Sequence, residues 1–225
     1  MRRIFFIFII SLFTSASSFA KEGSSENGQV KECFEGLNRG IFTFNKALDD
    51  IIVEPIAKGY RQLPSPIKTG TSNFLNNLSL LSTIPNNVLQ GDLALAAVNS
   101  SRLLINSTIG ILGILDPASA MGLNNYKKED YGQTLAKWGI SEGCYLVLPV
   151  LGPSTLRDTA GKLVNYFGGD PWYNITVKND TRYVSDFDYY SSVGTSGVDF
   201  RAKNLESFEN LEKNSLDFYA SVKSL

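Results

Sequence analysis

Between residues 101 and 123 the chain reads SRLLINSTIGILGILDPASAMGL. Only Arg102 and Asp116 are charged there, and residues 103–115 carry no charge at all. A run this apolar has to be kept from water, which leaves three architectures. It can be a helix buried in a core, a helix spanning a bilayer, or a segment lying in one leaflet with flanking helices in the interface. A span needs about 20 apolar residues, and Asn106, Ser107, Thr108, Asp116 and Pro117 interrupt that window. In the interfacial arrangement Gly110 and Gly113 let the chain turn, or let backbones approach closely. Composition by itself favours the core helix.

The first twenty residues address the compartment. Arg2 and Arg3 precede an apolar run over residues 4–13, broken only by Ser11, and TSASSFA follows with Ser18 and Ala20 flanking Phe19. This is the layout of a cleavable export signal, with cutting expected after Ala20. The alternative, a retained anchor, suffers from an apolar core shorter than a span requires. Residues 21–33 then read as a flexible leader and residues 34–225 as one helical domain. Loss of a signal carrying two arginines and no acidic residue leaves 19 basic against 22 acidic side chains. There is no basic surplus for a phosphate backbone, so no nucleic-acid partner is expected.

Histidine is absent, which removes Ser-His-Asp and Cys-His catalysis and most zinc sites. No metal and no cofactor is implied. The two cysteines, Cys33 and Cys144, are too few and too distant for a metal knuckle. They either pair in an oxidising compartment or stand as two small buried hydrophobes.

Apolar residues from Phe34 to Ile52 recur at three- and four-residue steps, the period of an amphipathic helix. Pro55 suits the first turn of a second helix, and Pro64 with Pro66 mark a break before a third. Pro85 is expected to interrupt again, and Gly91 with Asp92 to supply a stop and an N-cap. CYLVLPVLG is the one strand-like run, but Pro149 in its middle disfavours a central strand. A helix is expected from near Pro153, with Leu156, Ala160, Leu163, Val164 and Phe167 on one side, and amphipathic helices continue to the C-terminus. The fold class is all-α. Five Asn-x-Ser/Thr sequences read as chance in an Asn-rich chain, not as glycan acceptors.

Longer blocks carry a resemblance. FEGLNRGIFTFNKALDDIIVEPIAKGYRQLPSPIKTGTSNFLNNL, NNVLQGD, RLLINSTIGILGILDPASAMGL, DYGQTLAKWGI, YLVLPVLGPSTLRD and DPWYN together resemble the MlaA family, also called VacJ, over about residues 32–174. The resemblance implies a ring-shaped assembly of amphipathic helices with a central channel, lying in the inner leaflet of the outer membrane. It implies transport of mislocalised phospholipid out of the outer leaflet, a trimeric outer-membrane porin as partner, and a soluble periplasmic carrier as recipient. No bond is made or broken, so no enzyme is expected. On this footing Leu103, Leu104, Ile105, Ile109, Ile111, Leu112, Ile114 and Leu115 face the membrane. The polar channel wall is expected among Asn38, Arg39, Asn45, Arg157 and Asp158. Each of these has a plainer reading as a cap or a surface ion pair.

Two departures from the family stand out. Its members are usually lipoproteins acylated on a cysteine directly after the signal, whereas Lys21 follows Ala20 here. The chain's own apolar surface and a partner are then expected to hold it at the membrane. Cys33 and Cys144 fall where the family commonly has proline, and this double replacement suggests a disulfide between them. Readings from other classes are a structural, porin-associated envelope protein and a periplasmic lipid hydrolase. For the hydrolase, Ser154 lacks a G-x-S-x-G setting, and Asp49 and Asp50 are adjacent, so they point apart on a helix.

Overall fold

The computed structural model describes residues 31–124, 126–179 and 183–225. The expected signal and residues 21–30 of the leader lie outside them. The chain is mostly helical. It opens with α1 (Glu35–Leu48), passes through a wide turn at Asp49–Val53 and continues as α2 (Glu54–Arg61). Pro55 explains the wide turn. Its ring would press on the carbonyl four residues back, and switching to five-residue hydrogen bonding, Glu54 N–H to Asp49 C=O, relieves this.

Helix α3 (Ser65–Leu89) runs straight through Pro85, so the expected interruption does not occur. Buried side chains directly after the proline hold the helix. Asn86 accepts from Thr134 Oγ1 at 2.6 Å, and Asn87 from Asn99 Nδ2 at 2.8 Å. Those bonds offset the roughly 3 kcal/mol that proline costs inside a helix. At Gly91 the chain turns with φ of 79°. Asp92 then caps α4 (Leu93–Thr108), accepting from Leu95 N–H at 2.9 Å, and α4 packs back along α3.

Short α5 (Pro117–Ala120) and α6 (Tyr131–Lys137) lead to a two-stranded antiparallel hairpin, β1 (Tyr145–Leu148) and β2 (Gly152–Thr155). The helical expectation holds, with this hairpin added to it. Pro149 sits in the turn between the strands, where a missing N–H breaks no ladder, and Pro153 belongs to β2. The next helix, α7 (Leu156–Val164), starts three residues later than Pro153 suggested, because Thr155 is its cap and accepts from Asp158 N–H at 3.1 Å. Helix α8 (Pro171–Tyr173), α9 (Asp186–Lys203), α10 (Leu205–Asn214) and α11 (Phe218–Lys223) complete the chain.

The interior is polar and the exterior apolar. Among the described residues, fourteen polar or charged side chains are buried against ten apolar ones. The apolar run is the clearest case. Asn99, Arg102 and Asn106 of α4 point inward, where Arg102 and Asn106 both reach Asp116, at 3.0 and 2.9 Å. Leu104, Ile109, Ile111, Leu112, Ile114 and Leu115 are exposed, and Leu103 and Ile105 half-buried. The core-helix reading is therefore corrected. The turn after α4 holds Ile111 and Leu112 in left-handed backbone, with φ of 53° and 57°. Asn77 clamps it by donating to Leu112 C=O at 3.3 Å, and a Cβ on Gly113 would strike the Asn77 side chain. No described helix is long and apolar enough to cross a membrane.

The two ends of the described chain are fastened together. A disulfide joins Cys33 to Cys144, and Tyr145 N–H bonds Lys31 C=O at 2.8 Å. Glu32 then accepts from Lys223 Nζ at 2.6 Å, from the Tyr219 hydroxyl, and from Asn38 Nδ2 at 3.1 Å.

Candidate functional site

A cavity of about 1490 Å³ opens between α1–α2, α9 and the C-terminal helices. Helical periodicity supplies its lining. Ile52 and Ile56 come from one wall, Val198 from the facing one, and Phe208, Leu211 and Phe218 from the cover. The hairpin turn closes one end with Val150 and Leu151. Gly194 and Gly197 of α9 have open space where a side chain would stand, which keeps the cavity wide.

Its cover is fixed at the edges by charge. Helix α10 and the segment after it run antiparallel to α2 and α1, and ion pairs form in register: Arg61 with Glu206 at 2.6 Å, Lys46 with Glu212 at 2.8 Å, and Arg39 with Asp217 at 2.8 Å. Burial would raise the Glu32 carboxyl, but hydrogen bonds from Lys223, Tyr219 and Asn38 hold it below the usual range. Asp217, bonded by Arg39, and Glu206, bonded by Arg61, are held low as well.

The carboxylates of Asp49, Asp50 and Glu54 lie close enough together for a metal ion. Cations of the protein occupy them instead. Arg201 reaches Asp49 and Glu54 at 2.9 Å, and Lys46 reaches Asp50 at 2.9 Å.

A second, polar pocket of about 370 Å³ lies behind the cavity, and Pro153 and Val193 line both. The polar face of α7 supplies Asp158, Gly161, Lys162 and Asn165. That face can be placed there because α7 crosses α6 closely: a Cβ on Gly161 would collide with the Gly132 backbone. Burial raises the Asp170 carboxyl, only partly offset by N–H bonds from Trp172 and Tyr173 and a hydroxyl bond from Tyr189.

The sequence-derived wall residues separate into two groups. Asn45 lines the apolar cavity while closing the hairpin turn, donating to Leu148 C=O at 2.9 Å and accepting from Val150 N–H at 2.7 Å. Asp158 lines the polar pocket and takes Arg157 Nε at 3.0 Å. Asn38 is buried between α1 and β1, bonding Tyr145 C=O at 3.1 Å and Val147 N–H at 3.0 Å. Arg39 and Arg157 make the ion pairs already described or a contact with Glu142 at 4.0 Å. Sequence reasoning missed Lys162 and Asp170. The polar spacing 158, 162, 165 along α7 was the available signal, overlooked because that helix was read for its apolar side.

A helical protein with polar contents, an oily surface and an apolar cavity backed by a polar one belongs to a class built to work in apolar surroundings. The chain belongs to the MlaA lipoprotein family, whose family model matches residues 30–225. It is 32% identical over 211 residues to the Escherichia coli protein named "Intermembrane phospholipid transport system lipoprotein MlaA", covering 91% of this chain and 78% of that one. An uncharacterized Rickettsia bellii protein is 34% identical over 230 residues, covering 97% and 86%. A solved structure described as "Structural basis for maintenance of bacterial outer membrane lipid asymmetry" superposes with a TM-score of 0.71 at 30% identity. It covers 86% of this chain and 94% of the other.

Proposed function

We propose that this chain carries phospholipid across the inner half of the outer membrane and so helps maintain lipid asymmetry. The apolar residues 103–115 and the exposed side chains around them rest among acyl chains, and the helices form a ring about the two adjoining cavities. A phospholipid cannot change leaflets unaided, because its charged headgroup would have to leave water. A path with one polar and one apolar compartment removes that penalty, keeping the headgroup solvated while the tails stay near hydrocarbon. The observation that carries the reading is that the two cavities adjoin, sharing Pro153 and Val193 as a common wall. A trimeric porin as neighbour and a soluble periplasmic carrier as recipient complete the proposal. Family kinship with intermembrane phospholipid transport proteins supports it. Cys33 and Cys144 are engaged in the disulfide, and the apolar belt and the partner hold the chain at the membrane.

The test fills the cavity without disturbing the fold. Gly197→Trp places an indole where a Cβ meets nothing within 4 Å. A strain carrying it in place of the wild-type gene should accumulate phospholipid in the outer leaflet as a deletion does, with normal protein levels. Wild-type asymmetry in both strains would remove the proposal.

A further inference from the structure

We propose that Lys162, with the Ser154 hydroxyl, holds the phosphate of the travelling phospholipid, and that the pocket around it favours a zwitterionic headgroup over a net-anionic one. The inference rests on the transport reading and gives it a substrate preference.

Lys162 is half-buried in the polar pocket, and among the described residues no carboxylate pairs with it within 4.0 Å. Its ammonium bonds only the Ser154 hydroxyl, at 3.3 Å, and that hydroxyl also takes Thr159 Oγ1 at 3.1 Å. Ser154 is itself 7% exposed. A cation withdrawn from water needs an anion, and no acid of the pocket reaches it. Glu129 is held by Lys127 at 2.9 Å and Asp158 by Arg157 at 3.0 Å. Asp170 caps α8, accepting from Trp172 N–H at 2.9 Å. The Ser154 hydroxyl donates only a long bond, to Thr155 C=O at 3.4 Å, so it can turn with the ammonium toward phosphate oxygens. The compartment next door supplies the apolar volume that acyl chains need.

The second half of the proposal follows from the carboxylates. Asp130 and Asp170 line the same pocket and form no ion pair among the described residues. Lys128 lines the pocket as well, yet two carboxylates without an ion partner remain beside it, so a primary ammonium on the headgroup finds a partner there. A headgroup with a surplus negative charge is repelled.

The experiment uses the full chain purified in detergent, exchanged into vesicles of phosphatidylethanolamine or phosphatidylglycerol, re-extracted and analysed for retained lipid by native mass spectrometry. Wild type should retain phosphatidylethanolamine several-fold over phosphatidylglycerol. Lys162→Gln should cut phosphatidylethanolamine retention about tenfold, and Lys162→Arg should restore most of it. Equal retention by wild type and Lys162→Gln overturns the subsite and leaves the transport reading standing. Absence of any retained phospholipid in wild type overturns the transport reading itself. Full competition by millimolar inorganic phosphate would mark a free-phosphate site and overturn the lipid assignment. Fatty-acid release abolished by Ser154→Ala would overturn it too, since Ser154 and Lys162 would then be a nucleophile and its base.

Discussion

Arg102 sits where a soluble protein would place leucine. Its side chain is 7% exposed and is neutralised by Asp116, itself bonded by Ser119 and Asn106. Burial would raise the Asp116 carboxyl, but those hydrogen bonds and the one from Arg102 hold it low. Arg102→Met should therefore cost about 3 kcal/mol, the scale for stranding one partner of a buried pair. A lowered thermal midpoint in detergent checks this, and Arg102→Met with Asp116→Asn should recover part of the loss. Gly113→Ala should cost more than about 1 kcal/mol, because the site combines φ of 94° with the Asn77 collision. These positions were only half legible. Asp92 as a cap follows from its own chemistry and was readable, whereas Asn77, Asn99 and Asn106 looked like chance sequons. Their burial is a tertiary fact: an asparagine pattern becomes a core only when the apolar face beside it has somewhere else to go.

At the scale of elements, the C-terminal helices are the loosest part. Their ion pairs are largely exposed, with Arg61 and Glu206 at 38% and 65%, so water screens them and each adds little. Glu32, Glu206 and Asp217 all have folded values below their ordinary ones, 4.5 for glutamate and 3.8 for aspartate. Lowered carboxylates stabilise fully above the unfolded value and lose that contribution as pH falls through the folded one. Below about pH 4, or in molar salt, α10 and α11 should become open to protease while α3 and α4 stay protected. Limited proteolysis with mass mapping checks the order. The disulfide closes a loop of 111 residues. Chain entropy then predicts a loss of about 4.7 kcal/mol for Cys33→Ser with Cys144→Ser, read by denaturant unfolding of the micellar protein. Most helices here were readable from period and caps. Pro85 and the hairpin were not, since long-range bonds to Thr134 and Asn99 overrule a local breaker, and a proline in a turn looks in sequence like a proline in a strand.

The whole molecule is organised by its reversed partition of polar and apolar surface, which composition cannot reveal because both arrangements use the same residues. Ile111 and Leu112 mark that reversal most sharply. Bulky side chains in left-handed backbone are strained by about 1–3 kcal/mol, and asparagine tolerates the conformation better. Ile111→Asn with Leu112→Asn should leave thermal stability in detergent unchanged or slightly higher, while flotation with lipid vesicles falls several-fold. Loss of both together would assign the pair to folding instead. The Cys33–Cys144 linkage has a further bearing, on manufacture. Its earlier thiol has no mate until translation has passed residue 144 of 225, so this polypeptide can be finished only where oxidants meet a product with well over half its length made. A host that supplies reducing surroundings should yield protein whose beginning is held only by Glu32 and its neighbours, without the covalent tie to the hairpin.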